Sequence, residues 1–73
     1  MKVKKIGTGE YRVYIVWAYR NGAYIDDLEV RYAKRYDAED YRIRCGGEIG
    51  WEDFTDRDEA QTFLNEKMGK IWW

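Results

Sequence analysis

The stretch Tyr11 to Tyr32 (YRVYIVWAYR-NG-AYIDDLEVRY) decides how the chain is read. Asn21-Gly22 stands between two alternating apolar runs, and a type I′ turn needs positive φ at both of its central residues, which Asn-Gly supplies best. A two-residue loop fixes the register. It pairs Tyr19 with Tyr24, Trp17 with Asp26, Ile15 with Leu28, Val13 with Val30 and Tyr11 with Tyr32 on one face. The opposite face pairs Arg20 with Ala23, Ala18 with Ile25, Val16 with Asp27, Tyr14 with Glu29 and Arg12 with Arg31. A slip by one residue would exchange the two faces. The paired aspartates Asp26-Asp27 suit a strand poorly. They allow a bulge there, or a competing helix from Asp26 to Tyr36 with Glu29 closing a capping box. The five matched cross-strand pairs favour the strand.

Outward from the hairpin, residues 1–9 alternate Val and Lys before Gly7-Thr8-Gly9, a short edge strand followed by a turn. Residues 33–40 read as a polar connection. Tyr41-Arg42-Ile43-Arg44-Cys45 alternates strictly and is followed by Gly46-Gly47, which predicts a second hairpin over 41–53. A three-residue loop, Gly46 to Glu48, pairs Cys45 with Ile49 and Ile43 with Trp51. The last element is a helix over 56–68. Thr55 is its expected N-cap, and Asp56, Asp58 and Glu59 load its first turn with negative charge. Ala60, Phe63, Leu64 and Met68 form one apolar stripe, Lys67 sits in the last turn, and Gly69 holds the C′ position. The expected fold is α+β: a small four-stranded antiparallel sheet of two hairpins with one C-terminal helix on one face, followed by the aromatic tail 69–73.

With 73 residues the chain makes one domain, and a domain this small buries only roughly 60% of its unfolded surface. Its aromatic content of 18% supplies large core side chains. There is no His and one Cys, Cys45, which leaves no ligand set for structural zinc and no disulfide framework. No cofactor or metal is expected. The chain shows no secretory signal and no apolar run long enough for a bilayer, so the expectation is a cytoplasmic protein with no membrane partner. Residues 1–44 hold ten basic and seven acidic side chains, a balance of +3; residues 45–73 hold three and seven, a balance of −4. That balance is less basic than a dedicated nucleic-acid binder carries.

Without a His or an exposed thiol there is no acid–base–nucleophile set, so no enzymatic activity is expected. Cys45 alternates with Tyr41 and Ile43 and reads as core. Tyr24-Ile25-Asp26-Asp27 is similar to the metal-holding tetrapeptide of reverse transcriptases, but those enzymes need a large palm domain and a further carboxylate; the match reads as coincidence. Arg12, Arg20, Arg31, Arg42 and Arg44, with Tyr14 among them, are expected on the outer face of the sheet, followed by Lys34 and Arg35. The acidic run Glu48, Glu52, Asp53, Asp56, Asp58 and Glu59 could meet a basic partner, although helix charging explains three of the six. Trp72 and Trp73 either close the core or anchor a partner or a homodimer. The candidate partner-binding residues are therefore Arg12, Tyr14, Arg31, Arg42, Arg44, Glu52, Asp53, Asp56, Trp72 and Trp73.

Phe54-Thr55-Asp56-Arg57-Asp58-Glu59-Ala60-Gln61-Thr62-Phe63-Leu64-Asn65 resembles the helix start of the small arm-binding domains of phage tyrosine recombinases. That resemblance implies a DNA-binding accessory module reading through the sheet face. Glu52 and Asp53 stand where that family commonly carries basic residues. In size and composition the chain also looks like small phage or mobile-element proteins that inhibit host machinery, anti-CRISPR and anti-restriction proteins among them. That likeness implies a non-catalytic protein-binding module acting on a host protein or a protein–nucleic-acid complex. This reading is preferred over direct DNA contact, since the chain pairs many Tyr and Trp with mixed charge and lacks catalytic equipment.

Overall fold

The computed structural model describes residues 2–17, 19–20, 23–24 and 29–68. The elements run β1 (Lys4–Gly7), β2 (Glu10–Trp17), β3 (Tyr19–Arg20), β4 (Ala23–Tyr24), β5 (Val30–Tyr32), α1 (Arg35–Cys45), β6 (Glu48–Phe54) and α2 (Arg57–Glu66). The class is α+β, with a four-stranded antiparallel sheet as expected, but two helices rather than one.

β2 is the centre of the sheet. β6 pairs with it along Tyr11 to Trp17, from Tyr11 opposite Phe54 to Trp17 opposite Glu48. β1 pairs with Glu10 to Arg12 and β5 with Tyr14 to Val16, so these two share the other edge of β2, end to end. The sequence-predicted hairpin is right at its tip, where Tyr19 faces Tyr24 and Arg20 faces Ala23. Further down it is offset: Val16 faces Val30, Ile15 faces Arg31 and Tyr14 faces Tyr32. Between these two paired blocks one side has two residues, 17–18, and the other has five, 25–29. The three surplus residues correct the pairing of Ile15 with Leu28, of Val13 with Val30 and of Tyr11 with Tyr32. An odd surplus turns Val30 and Tyr32 onto the face of Tyr14 and Val16. The Asn21-Gly22 turn, the pairing of Trp17 with Asp26, and Tyr24-Ile25-Asp26-Asp27 fall wholly or partly outside the described residues.

The second correction is residues 41–45, which are the end of helix α1 and not a strand. Alternation misleads here because Tyr41 and Cys45, with Ala38, also lie at helical spacing and pack together against Val16, Tyr32, Val30 and Ile49. Ile43, the third apolar residue of the run, is 70% exposed. Ion pairs one turn apart, Arg35 to Glu39 at 3.3 Å and Arg44 to Asp40 at 3.2 Å, support the helix. Gly46 ends it with φ 68° and donates its N–H to the Arg42 carbonyl, a left-handed cap that glycine takes without a Cβ penalty. The glycines thus terminate a helix rather than turn a hairpin, and β6 pairs with β2.

α2 matches its prediction within a residue or two. Asp56 rather than Thr55 is its N-cap, accepting from the Asp58 N–H at 2.8 Å, and Lys67 lies just past its last residue. Gly69 is outside the described residues. Ala60 and Leu64 pack with Val13 and Ala33, joined by Val3, Tyr11, Phe54 and Phe63. The Val3 N–H donates to Gln61 Oε1 at 2.9 Å and ties the N-terminal segment to this helix. The sheet thus carries α2 on one face and α1 on part of the other. Tyr32, sealed under α1, has its phenol pushed up to about 12, first by burial and then by its neighbours Tyr41 and Asp37. No described helix is long and apolar enough to cross a membrane.

The helix-to-strand joint between α1 and β6 predicts an order of sensitivities. A Cβ on Gly47 would sit 2.2 Å from the Trp17 carbonyl oxygen, so backbone must move. A Cβ on Gly46 meets nothing within 4 Å but faces the positive φ. Gly46→Ala should cost about 1–2 kcal/mol and Gly47→Ala should cost more, read as the ordering of midpoints in urea unfolding.

Candidate binding face

The predicted arginine face is dispersed by the fold. Opposite residues in the ladder share a face, so Lys4, Arg12 and Asp53 form one row, and Tyr14, Trp51 and Tyr32 form the next. α1 covers Tyr32 and leaves the rest of these two rows open. Arg12 makes a two-pronged ion pair with Asp53, Nε to Oδ1 at 2.7 Å and Nη2 to Oδ2 at 3.1 Å. Its guanidinium also lies 4.8 Å from the centre of the Trp51 ring. Tyr14 meets that ring edge-on at 6.4 Å. Trp51 itself is 52% exposed.

Beside these rows opens a groove of about 290 Å³, lined by Lys4, Lys5, Ile6, Tyr14, Ala33 and the first residues of α1, Lys34, Arg35 and Tyr36. Tyr36 is 79% exposed and Ile6 43%. Lys4, Lys5 and Lys34 have no acidic partner among the described residues, while Arg35 is held by Glu39. The groove is therefore basic, with an apolar floor.

Arg31 lies elsewhere. It is on the α2 side of the sheet, its side chain 12% exposed, and bound on every side. It reaches Glu29 at 2.8 Å, the Phe63 carbonyl at 2.6 Å and Glu66 at 3.1 Å, and it lies 3.6 Å over the Phe63 ring. It fastens the end of α2 to β5 and offers no free surface. Arg42 and Arg44 sit in α1, not on the sheet, and Arg44 is paired with Asp40. The side chain of Arg20, and Trp72 and Trp73 entirely, lie outside the described residues.

The acidic run divides in the same way. Asp53 joins Arg12, Asp56 caps α2, and Glu52 is exposed on the α2 side of the sheet, opposite Val13. Asp56, Asp58, Glu59 and Glu66 rim a second groove with Phe54 and Phe63 as its floor. Trp51, Tyr36, Ile6, Lys4 and Lys5 are the surface that sequence reasoning missed, whereas Lys34 is expected from the sequence to follow the arginine face. A signal existed for Trp51: the alternation Ile49, Trp51, Asp53 places it between a core residue and an ion-paired one. Among the described residues no group of His, Cys, Asp and Glu is arranged to hold a metal ion.

No protein family, no curated protein and no solved structure matches the chain.

Arg12 holds the Asp53 carboxyl below the ordinary carboxylate range, chiefly through the side-chain hydrogen bond, and Asp53 in turn raises Arg12. A depressed folded pKa gives stability that is complete above the unfolded value of about 4 and is lost as pH falls through the folded one. Asp53→Asn should therefore lower the unfolding temperature at neutral pH and shrink its decline on acidification, read across a pH series. Arg31→Ala should destabilise the fold by about 3 kcal/mol, because a half-buried ionic network loses its centre. Arg31→Lys should recover only part, as the planar fork is lost. Urea unfolding of the two variants checks both.

Proposed function

We propose that this chain is a non-catalytic protein-binding module, and that it binds an acidic, apolar-anchored segment of a partner protein on the open half of the sheet. The observation that supports this most is the convergence of Lys4, Lys5 and Lys34 on a groove floored by Ile6, Tyr14 and Tyr36, beside the half-exposed Trp51. Large aromatic side chains, Trp and Tyr above all, carry much of the binding energy at protein interfaces, and the lysines around them favour an acidic partner. The Arg12–Asp53 pair sets the Trp51 ring in place, so less freedom is lost when a partner covers it. A module of this kind can act as an inhibitor by occupying the surface of a larger complex. The compositional likeness to small phage and mobile-element inhibitors points the same way.

A second reading rests on the same groove. Unpaired lysines beside exposed aromatic rings also suit single-stranded nucleic acid, where phosphates meet the cations and bases stack. The negative rim along α2 and the chain's net charge of −1 favour the protein partner.

Titration of the chain with an acidic peptide set carrying single Phe or Leu anchors, alongside single- and double-stranded oligonucleotides in a salt series, separates the two. We expect peptide binding that Lys34→Glu with Tyr36→Ala weakens at least tenfold, about 1.4 kcal/mol, and that Asp58→Ala with Glu59→Ala leaves unchanged. Oligonucleotide binding that falls steeply with salt, with no peptide binding, would establish the nucleic-acid reading instead.

A further inference from the structure

β6 is an edge strand: its inner edge is paired with β2 over all of Glu48–Phe54, and no described residue pairs with its outer edge. The phase of its backbone follows from one hydrogen bond. The Arg31 N–H donates to the Lys67 carbonyl at 2.8 Å, away from β2. In an antiparallel ladder successive residues turn both backbone groups to alternate neighbours. Ile15, opposite Arg31, therefore turns its groups toward β6, and Gly50 returns them. Counting along β6, residues 48, 50, 52 and 54 bond inward, whereas Ile49, Trp51 and Asp53 present N–H and C=O outward.

We propose that this edge pairs with the β6 edge of a second copy of the chain, antiparallel, with Trp51 on the two-fold axis. An axis perpendicular to the sheet keeps opposite residues on one face, so only every second register is open to it. Centring on Gly50 sets Glu48 against Glu52 of the partner subunit. Centring on Glu52 or Asp53 sets each acid against itself. Centring on Trp51 opposes Glu48 to Phe54, Ile49 to Asp53, Gly50 to Glu52 and Trp51 to itself, and no acid directly faces an acid. Like charges directly opposite are destabilising; centring on Ile49 also avoids them but overlaps only residues 48–50 of β6, so charge and overlap together select the Trp51 register. In that register the outward residues 49, 51 and 53 meet their outward counterparts, which completes six backbone hydrogen bonds.

The side chains agree with this choice. Trp51, 52% exposed in the single chain, gains a second Trp51 on the same face, and aromatic pairs across strands favour the sheet. On the other face Glu52 is opposed by Gly50, which carries no side chain and is covered by the Trp17 ring. The pairing is closed, since each copy uses the one long edge left unpaired among its described residues, and it yields a dimer rather than a fibre. It leaves the lysine groove, which lies across β1, β2 and the start of α1, uncovered, shares only Trp51 with the proposed binding face, and needs no partner protein.

Sedimentation of the full chain from low to high micromolar concentration should show a reversible monomer–dimer equilibrium. Trp51→Pro removes an outward N–H and the ring that Arg12 and Tyr14 meet, but no hydrogen bond to β2, so it should leave the circular dichroism native and the protein monomeric. In a Cys45→Ser background, Trp51→Cys should oxidise to a disulfide-linked dimer, because facing Cα atoms of a hydrogen-bonded pair lie about 5.5 Å apart. Glu52→Cys, which faces Gly50, should remain largely unlinked. A wild-type chain monomeric throughout the range overturns the pairing. Cross-linking at position 52 equal to or above that at 51 overturns the register.

Discussion

The constraint on which the structure depends is that β2 is buried from both sides. Val13 and Val16 point to opposite faces and both are fully buried. A half-buried strand alternates apolar and polar residues, while one covered on both faces reads as a nearly continuous apolar run. Tyr11 to Trp17 is such a run, with Arg12 its one charged residue. A single helix covers a single face, so a chain with this strand at its centre requires a second cover. α1 is that cover, and because it packs over the end of the strand at Val16, Tyr32 and Ile49, the far end of the same face stays open at Arg12 and Trp51.

Arg31 holds the other side together. Its backbone bonds to Lys67 and its side chain grips Glu29, Glu66 and the Phe63 carbonyl while lying on the Phe63 ring. These contacts join β5 to the end of α2, elements more than thirty residues apart in the chain. A charge so placed keeps its hydrogen bonds while shedding water, which is why an arginine, with its fork of donors, fits the position. The contact with Met68 extends the same edge, as Met68 bridges Arg31 in parallel.

Local patterns were legible wherever a signal was short-range. The hairpin tip was readable because Asn-Gly demands one geometry, and α2 because its cap, first-turn acids and apolar stripe agree with one another. The paired aspartates signalled a bulge between Tyr24 and Val30, but the size of the surplus, three residues, was not readable, because pairing arithmetic assumes that two strands advance together. α1 was hidden by a coincidence of periods: positions 41 and 45 are apolar under both a two-residue and a helical repeat, and Ile43, exposed on the helix, completes the false alternation. Ala38, Tyr41 and Cys45 with Gly46 behind them carried the correct reading. The site suffered from the same two errors. An odd offset and a missed helix moved Arg31, Arg42 and Arg44 off the open face, while Arg12 and Tyr14 remained on it because β2 was placed correctly.

The charge asymmetry of the two halves of the chain becomes a spatial one. The basic half contributes β1, β2 and the start of α1, which together line the lysine groove. The acidic half contributes β6 and α2, which line the groove over Phe54 and Phe63. Asp53 is the exception, an acidic residue of the second half placed on the basic side, and there it is consumed by Arg12. That pairing engages the arginine of the face and leaves Lys4, Lys5 and Lys34, which have no acidic partner among the described residues, as its positive charge. Lysine is the more strongly hydrated and less directional of the two cations. A face organised this way places its specificity in the shape and position of its aromatic and aliphatic side chains, Trp51, Tyr14, Tyr36 and Ile6, and leaves to its charge the sign of what it attracts.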